Sequence, residues 1–111
     1  MSTDPDPAYL GDMLRYAREA YDLIANISRE EYDHDTTRQY ALRYLLMIVG
    51  EAASKVSKPM KARSPQIPWP RITGMRHELV HGYTQVSSSI VWDTARDDLM
   101  PLIAELERIA P

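Results

Sequence analysis

The sequence predicts an all-α fold, a bundle of four to five helices that run up and down. Apolar residues recur at steps of three and four along the long segments of the chain, which is the spacing of amphipathic helices. No segment shows the alternation of apolar and polar residues that is typical of strands. With 111 residues, of which 44% are hydrophobic, the chain is large enough for one domain with its own core.

The first helix is predicted to run from Pro7 or Ala8 to about Ile27. Its leucines, alanines and isoleucines recur on one face, and a proline is well suited to a first helical turn. The residues before it are acidic and contain prolines, so we expect a flexible leader over residues 1–7. One helical domain is expected to occupy residues 8–111.

The middle of the chain predicts a second long helix followed by a loop. Ser28 and Glu31 form the S-x-x-E pattern of a capping box, which indicates a short helical turn before that helix. The helix is predicted over residues 35–57, and its apolar stripe is broad enough to be buried from more than one side. Pro59 is expected to end it, and residues 58–70 are expected to form a structured loop.

Two further helices are predicted in the last part of the chain. The third is expected over residues 70–81, with Gly82 as its stop. The fourth is expected to begin at the serines of residues 87–89, which suit an N-cap. Pro101 interrupts its apolar stripe. Because proline lacks a backbone donor and crowds the preceding turn, we expect a kink there or two abutting helices.

Charge is distributed unevenly along the chain. The net charge is −3, yet residues 52–77 contain no acidic residue and six basic ones. Such segregation can direct an anion to one face of a protein whose net charge is negative, although a solvated basic loop is the simpler interpretation. Besides Arg76, which is discussed below, the residues of this stretch that could bind an anion such as a nucleic-acid phosphate are Lys55, Lys58, Lys61, Arg63 and Arg71.

Composition limits where the protein works. There is no cysteine, and therefore no disulfide framework and no thiolate ligand or nucleophile. The first ten residues lack the basic and apolar regions of a signal peptide, and no apolar run reaches the roughly 18 residues of a membrane span. We therefore expect a cytoplasmic protein without a membrane segment.

An H-E-x-x-H pattern is formed by His77, Glu78 and His81. In zinc proteases this pattern places two histidine ligands and a general base on one helix, but a catalytic site needs a third protein ligand. The extended pattern with a further Gly and His is absent after His81, which leaves Glu105 as the candidate. Arg76 stands beside the first histidine, and its fixed cation opposes a dication. We therefore expect no metal site beyond adventitious binding by the two histidines.

A second pattern overlaps the first: Arg76, four residues, His81, one residue, then Tyr83. Together with the segments IVGEAASKVS, PQIPWPRITGMRHELVHGY and IVWDTARDDLMPLIAELERI, it makes the chain resemble the HepT-like toxins of the HEPN superfamily from Tyr9 to Ile109. Most members have asparagine directly after the arginine, where this chain has His77.

The resemblance implies a HEPN-type bundle that forms a homodimer, with the motifs of both copies lining one cleft. It implies a metal-independent endoribonuclease that needs no cofactor and is the toxin of a type II toxin–antitoxin system. The implied partner is a minimal nucleotidyltransferase antitoxin, which neutralises the toxin by transferring AMP to the motif tyrosine, here Tyr83.

The chemistry of the motif residues suits RNA cleavage, because RNA supplies its own nucleophile, the 2′-OH. His81 is predicted to transfer a proton, since histidine titrates near neutral pH. Arg76 is predicted to clamp the phosphate with its fork of donors. His77 is expected to contact the phosphate or the leaving group. Glu51, in the middle of the second helix, is expected to orient Arg76 or a histidine.

Helical geometry constrains this site. Five residues along a straight helix turn through about 500°, which leaves Arg76 and His81 roughly 140° apart. The helix must therefore end before His81, or a second subunit must complete the cleft. His77 and His81, four residues apart, are expected to share a face.

Each motif residue also has a purely structural interpretation. Arg76 could bridge to Glu51 across two helices, His81 could stabilise the carboxyl end of its helix, and Tyr83 could belong to the core. For the function as a whole, the alternative is a non-catalytic binding subunit that docks a nucleotidyltransferase or a nucleotide.

Overall fold

The computed structural model describes residues 4–110, and in that part of the chain all regular structure is helical. The prediction of an all-α bundle is confirmed, with four long helices (α1, α3, α5 and α6) and two short ones (α2 and α4). None of these helices is both long and apolar enough to cross a membrane. The helices are α1 (Asp6–Ile24), α2 (Arg29–Asp33), α3 (Thr36–Lys55), α4 (Lys58–Arg63), α5 (Trp69–His81) and α6 (Ser88–Ile109).

Helix α3 lies at the centre of the bundle. It packs against α1 on one side and α5 on another, while α1 also packs against α6. This confirms that the second long helix is buried from more than one side. Two aromatic residues of the core pack together: the rings of Tyr32 and Trp92 lie 4.8 Å apart, and the Tyr32 hydroxyl donates to the carbonyl of Ser88. Burial raises the pKa of that hydroxyl.

Side-chain caps begin most of the helices, as the sequence indicates. The capping box of Ser28 is complete, because Ser28 Oγ accepts from the backbone N–H of Glu31 while the Glu31 carboxylate accepts from the N–H of Ser28. Asp35 caps α3 by accepting from the N–H of Arg38, and Ser87 caps α6 by accepting from the N–H of Ile90. These caps satisfy backbone donors that would otherwise lack a partner, which fixes where each helix starts.

The bounds of α1 differ from the prediction at both ends. The helix ends at Ile24 rather than at about Ile27, and it begins at Asp6. Asp6 is buried, and its carboxylate accepts hydrogen bonds from the backbone N–H and the hydroxyl of Ser57. Residues 6 and 7 therefore belong to the helix and not to the predicted leader. Asp6 is fixed by its hydrogen bonds with Ser57, which lies 51 positions further along the chain. Residues 1–3 of that leader lie outside the described part of the chain.

The stretch expected to be a loop contains the short helix α4. Helix α3 ends at Lys55, Val56 is extended, and Ser57 caps the new helix by accepting from the N–H of Met60. Pro59 lies in the first turn of α4, where its missing N–H needs no partner, so the prediction that Pro59 itself ends α3 is wrong.

Pro101 lies inside α6, which continues from Ser88 to Ile109. The alternative of two abutting helices is therefore wrong, and the kink at Pro101 stays a prediction. The carbonyls that lose a donor at this proline can be solvated, because Pro101 is exposed.

Replacing Asp6 by asparagine is expected to lower the melting temperature at neutral pH. The two hydrogen bonds from Ser57 hold the pKa of Asp6 below its ordinary value. A carboxylate with a lowered folded-state pKa stabilises the fold above its unfolded pKa of about 3.9, and this contribution disappears as the pH falls through the folded pKa. Thermal denaturation of wild type and D6N should therefore differ at pH 7 and converge in strong acid. D12N, on an exposed position of the same helix, should show no difference at either pH.

Candidate functional site

Helices α3 and α5 are in close contact at Gly50. A Cβ atom at this position would lie 2.3 Å from Arg76 Cβ and 3.0 Å from the carbonyl oxygen of Ile72. Only glycine leaves room for this crossing, because real Cβ atoms do not come so near to fixed atoms of another helix. Gly50 therefore determines how deeply Arg76 is set against α3. This role of Gly50 was not predicted from the sequence, although a glycine inside a strongly apolar helix was a visible signal.

Arg76 extends from this crossing to the carboxylate of Glu51. Its Nη2 lies 2.8 Å from Glu51 Oε2, so the predicted bridge between the two helices is present. The Arg76 side chain is one-third exposed, while its Nε is buried and has no hydrogen-bond partner. Lys55 approaches the other oxygen of Glu51 at 3.6 Å. One carboxylate thus faces two cations, so this group of three side chains keeps a net positive charge.

His77 and His81 share one face of α5, as their spacing predicts. Their ring centroids are 4.8 Å apart, and both residues are exposed. The helix continues through His81, and Gly82 ends it with its N–H bonded to the carbonyl of Glu78. The possibility that the helix ends before His81 is therefore wrong, so Arg76 and His81 of one chain point in different directions.

No group of three or more potential metal ligands occurs in residues 4–110. Glu105, the candidate third ligand, is bound instead by Arg108, whose Nε and Nη2 lie 3.0 and 2.8 Å from one carboxylate oxygen. The pair of histidines therefore stands alone on its helix face as far as the structure describes the chain.

Tyr83 lies in the turn after α5 and is 66% exposed, so its interpretation as a core residue is wrong. The turn is held by Arg43 of α3. Arg43 Nη1 donates to the carbonyl of Tyr83 at 3.4 Å, and Nη2 donates to the carbonyl of Val86. A guanidinium that satisfies two loop carbonyls fixes the loop to the bundle, and the sequence contained no indication of this role for Arg43.

The basic stretch is partly neutralised by residues that are remote in sequence. Arg71 pairs with Asp98 of α6 at 2.9 Å, and Lys55 shares Glu51 with Arg76. Lys61 lies over the ring of Trp69 at 5.7 Å. The predicted RNA-binding residues are all on the surface or half-buried, but Lys58, Lys61 and Arg63 lie on α4, at the far end of α3 from Tyr83. In residues 4–110 none of these three forms an ion pair with the motif residues, and their part in RNA binding stays a prediction.

Comparison with known proteins relates the whole bundle to one family. A family model described as HepT-like ribonuclease matches residues 13–109. A Methanocaldococcus jannaschii protein, provisionally named an RNase, is 32% identical over 92% of this chain and 84% of its own length. A second such protein of the same organism is 31% identical over 92% of this chain and 88% of its own. A Thermococcus cleftensis protein, provisionally named ribonuclease HepT, is 31% identical over 88% of this chain and 93% of its own. No solved structure was found to match.

Proposed function

The chain belongs to the HepT-like ribonuclease family, and we propose from this membership and the site that it is a metal-independent endoribonuclease. The observation that carries the proposal is the set of side chains on α5. A half-buried arginine and two exposed histidines lie within six consecutive positions of one helix, residues 76–81, at the end where Tyr83 follows. We further propose that it acts as the toxin of a type II toxin–antitoxin system.

The reaction needs a base, an acid and a group that stabilises the phosphate. The 2′-oxygen attacks the adjacent phosphorus as His81 takes its proton, and the 5′-oxygen leaves with a proton returned from an imidazolium. The products are a 2′,3′-cyclic phosphate and a 5′-hydroxyl. Arg76 presents donors to the non-bridging oxygens, where charge develops. His77 contacts the phosphate or the leaving oxygen, and Glu51 holds Arg76 in place.

A second copy of the chain completes the cleft in this proposal. Because α5 remains helical through His81, Arg76 and His81 of one chain are separated by roughly 140° of rotation. An antiparallel pairing of two α5 helices would place the arginine of one copy beside the histidine of the other. The active species is therefore expected to be a homodimer, with two equivalent sites.

The test of the proposed activity is cleavage in the presence of a chelator. Purified dimer is incubated with tRNA or mRNA in EDTA, and the fragments are expected to carry cyclic phosphate ends. Intact RNA with a folded dimer would favour the alternative, a binding subunit that docks a nucleotidyltransferase or a nucleotide. Cleavage that EDTA abolishes while the fold persists would refute the metal-free mechanism and return attention to His77 and His81 as ligands.

Control by adenylylation is proposed for Tyr83. Its side chain is exposed on a turn that Arg43 fixes, so the hydroxyl is accessible to a minimal nucleotidyltransferase. AMP on this residue would place a phosphate close to the motif, where it competes with RNA for Arg76. We expect a mass increase of at least one AMP per chain when the partner and ATP are present, and loss of cleavage with it.

The matched variant for this prediction is Tyr83→Phe, which keeps the ring and removes the acceptor oxygen. Y83F should gain no mass and should keep its nuclease activity in the presence of partner and ATP. Tyr44→Phe, at another exposed tyrosine, should still be modified and inhibited. Neutralisation of Y83F by the partner would show that control does not act through this residue.

A further inference from the structure

Tyrosines dominate the exposed apolar surface of the described residues. Five large hydrophobic side chains are at least half or nearly half exposed there, and three of them are tyrosines: Tyr40 at 67%, Tyr44 at 58% and Tyr83 at 66%. The other two, Ile90 and Met100, lie on α6. Tyr40 and Tyr44 are one turn apart on α3 and therefore adjacent on its surface.

These two tyrosines lie on the same side of α3 as the carboxylate that holds Arg76. At about 100° per residue, Tyr40 and Tyr44 are each within about 20° of Glu51 around the helix. Tyr44 is about 10 Å and Tyr40 about 16 Å from Glu51 along the axis. A strand of RNA whose phosphate is bound at Arg76 would reach both rings within a few nucleotides.

The histidines of α5 face the same side of the helix pair. The crevice between α3, α5 and α6 is lined by Val49 of α3 and Met75 of α5. On α3, Glu51 follows Val49 by two positions, and on α5, His77 follows Met75 by two positions. Two positions along a helix correspond to about 200° of rotation. Both residues therefore lie on the face opposite to α6. We call this face, defined by Tyr40, Tyr44, Glu51, Arg76 and His77, the tyrosine face.

The turn that carries Tyr83 adjoins this face. Arg43 lies between Tyr40 and Tyr44 in sequence, and its guanidinium donates to the carbonyl of Tyr83. Arg43 and Gly50 are seven positions apart and therefore lie on the same side of α3, the side that contacts α5. Tyr40 and Tyr44 lie next to that side, on the part of the α3 surface that faces solvent. The rings are thus held on a rigid helix beside the motif and do not depend on a mobile loop for their placement.

We propose that Tyr40 and Tyr44 form a stacking platform for the bases of single-stranded RNA, which they lead towards Arg76 and His81. The proposal rests on the proposed function as a ribonuclease and adds its substrate class, RNA with unpaired bases. Aromatic rings bind unpaired bases of any sequence through their faces, whereas paired bases present only their edges. RNA is the expected occupant rather than a second copy of the chain, because both exposed large hydrophobic side chains of α3 are tyrosines, whose rings can stack on bases, and they lie beside Arg76, the proposed phosphate ligand.

Binding of labelled oligoribonucleotides tests the platform. In a His81→Ala background, which leaves the RNA intact, fluorescence anisotropy gives the Kd for a single strand, for its duplex and for a strand with abasic sites. The Tyr40→Leu, Tyr44→Leu double variant keeps apolar bulk without aromatic rings. We expect its Kd for the single strand to rise by about fivefold or more for each ring lost. The duplex and the abasic strand should bind weakly to both proteins.

Matched variants separate stacking from other effects. Tyr40→Phe with Tyr44→Phe keeps the rings and should bind as the parent does, and Met100→Leu on α6 should leave the Kd unchanged. Equal Kd values for the leucine and phenylalanine variants would overturn the platform. So would a leucine variant that changes from dimer to monomer in light scattering, because the face would then be covered by a second copy.

The outcome is distinguishable from failure of the nuclease itself. Wild-type cleavage in EDTA is measured separately. If wild type cleaves RNA while the leucine variant binds single strands as tightly as its parent, the platform is wrong and the function stands. If wild type binds single strands through these tyrosines but cleaves nothing, the nuclease is wrong and the platform stands.

Discussion

His81→Ala is expected to lower the rate of RNA cleavage by about 10²- to 10⁴-fold, the usual contribution of a group that transfers a proton in the transition state. His81 is an exposed residue at the end of α5, and its ring centroid lies 4.8 Å from that of His77. Its removal therefore takes away a proton acceptor without disturbing the core. The melting temperature should stay unchanged, and the Kd for uncleaved RNA should change little, so that the loss falls on kcat.

The chain offers a matched control, because it contains only three histidines. His34 is exposed near the end of α2, where its Nδ1 lies 2.9 Å from the carbonyl oxygen of Glu30, and His34→Ala should cleave as wild type does. His77→Ala should lose less activity than His81→Ala. A substrate with 2′-deoxyribose at the scissile position lacks the attacking 2′-OH, so neither wild type nor any variant should cleave it. Full activity of H81A, with the protein pure and folded, would remove His81 from the mechanism.

Arg76→Ala should also lose cleavage, because it removes stabilisation of the phosphate and not a proton-transfer group. Arg76→Ala removes donors from the developing phosphate charge, which corresponds to about 10²- to 10³-fold in rate. It also leaves Glu51 beside Lys55 alone, in a half-buried site. Arg76→Lys retains the charge but not the fork of donors, so it should preserve the fold and restore only part of the activity.

Local signals made the helices predictable from the sequence. Each of the caps Ser28, Asp35 and Ser87 bonds to a backbone N–H three positions later, and apolar periodicity repeats within a single helix. Both signals can therefore be recognised from neighbouring residues in the sequence. The start of α1 was not predictable in this way. It depends on Asp6 meeting Ser57, a contact between residues that lie 51 positions apart.

In the candidate site, too, the features set by local spacing were predictable and the contacts between helices were not. Its residue types and the shared face of His77 and His81 follow from sequence spacing. The pairing of Arg71 with Asp98 and the anchoring of the Tyr83 turn by Arg43 depend on how α3, α5 and α6 pack together, and nothing in the local sequence encodes those partners. The fold brings Asp98 to Arg71 and Glu51 to Lys55 and Arg76, so part of the positive charge of residues 52–77 is neutralised, and RNA binding by this stretch stays a prediction.

Gly50→Ala is expected to reduce cleavage strongly while it changes stability little. The added methyl group would lie 2.3 Å from Arg76 Cβ and 3.0 Å from a backbone oxygen, and neither can move unless α5 moves away from α3. Overpacking of this kind costs about 1–3 kcal/mol. Alanine regains about 1 kcal/mol of helix propensity over glycine, which offsets part of that loss. A net destabilisation of about 0–2 kcal/mol leaves the bundle folded with Arg76 displaced.

Displacement of Arg76 should be far more damaging to the reaction than to the fold. A misplacement of about 1 Å in a catalytic group can lower the rate by roughly 10²-fold, so kcat should fall strongly while the melting temperature falls by at most about 10 °C. Gly74→Ala is the matched control on α5 itself, two residues before Arg76, because a Cβ there has no neighbour within 4 Å. G74A should be slightly more stable than wild type and fully active. If G50A cleaves RNA as fast as G74A, the close crossing of α3 and α5 does not position Arg76 for catalysis, and the guanidinium reaches the phosphate by its own flexibility.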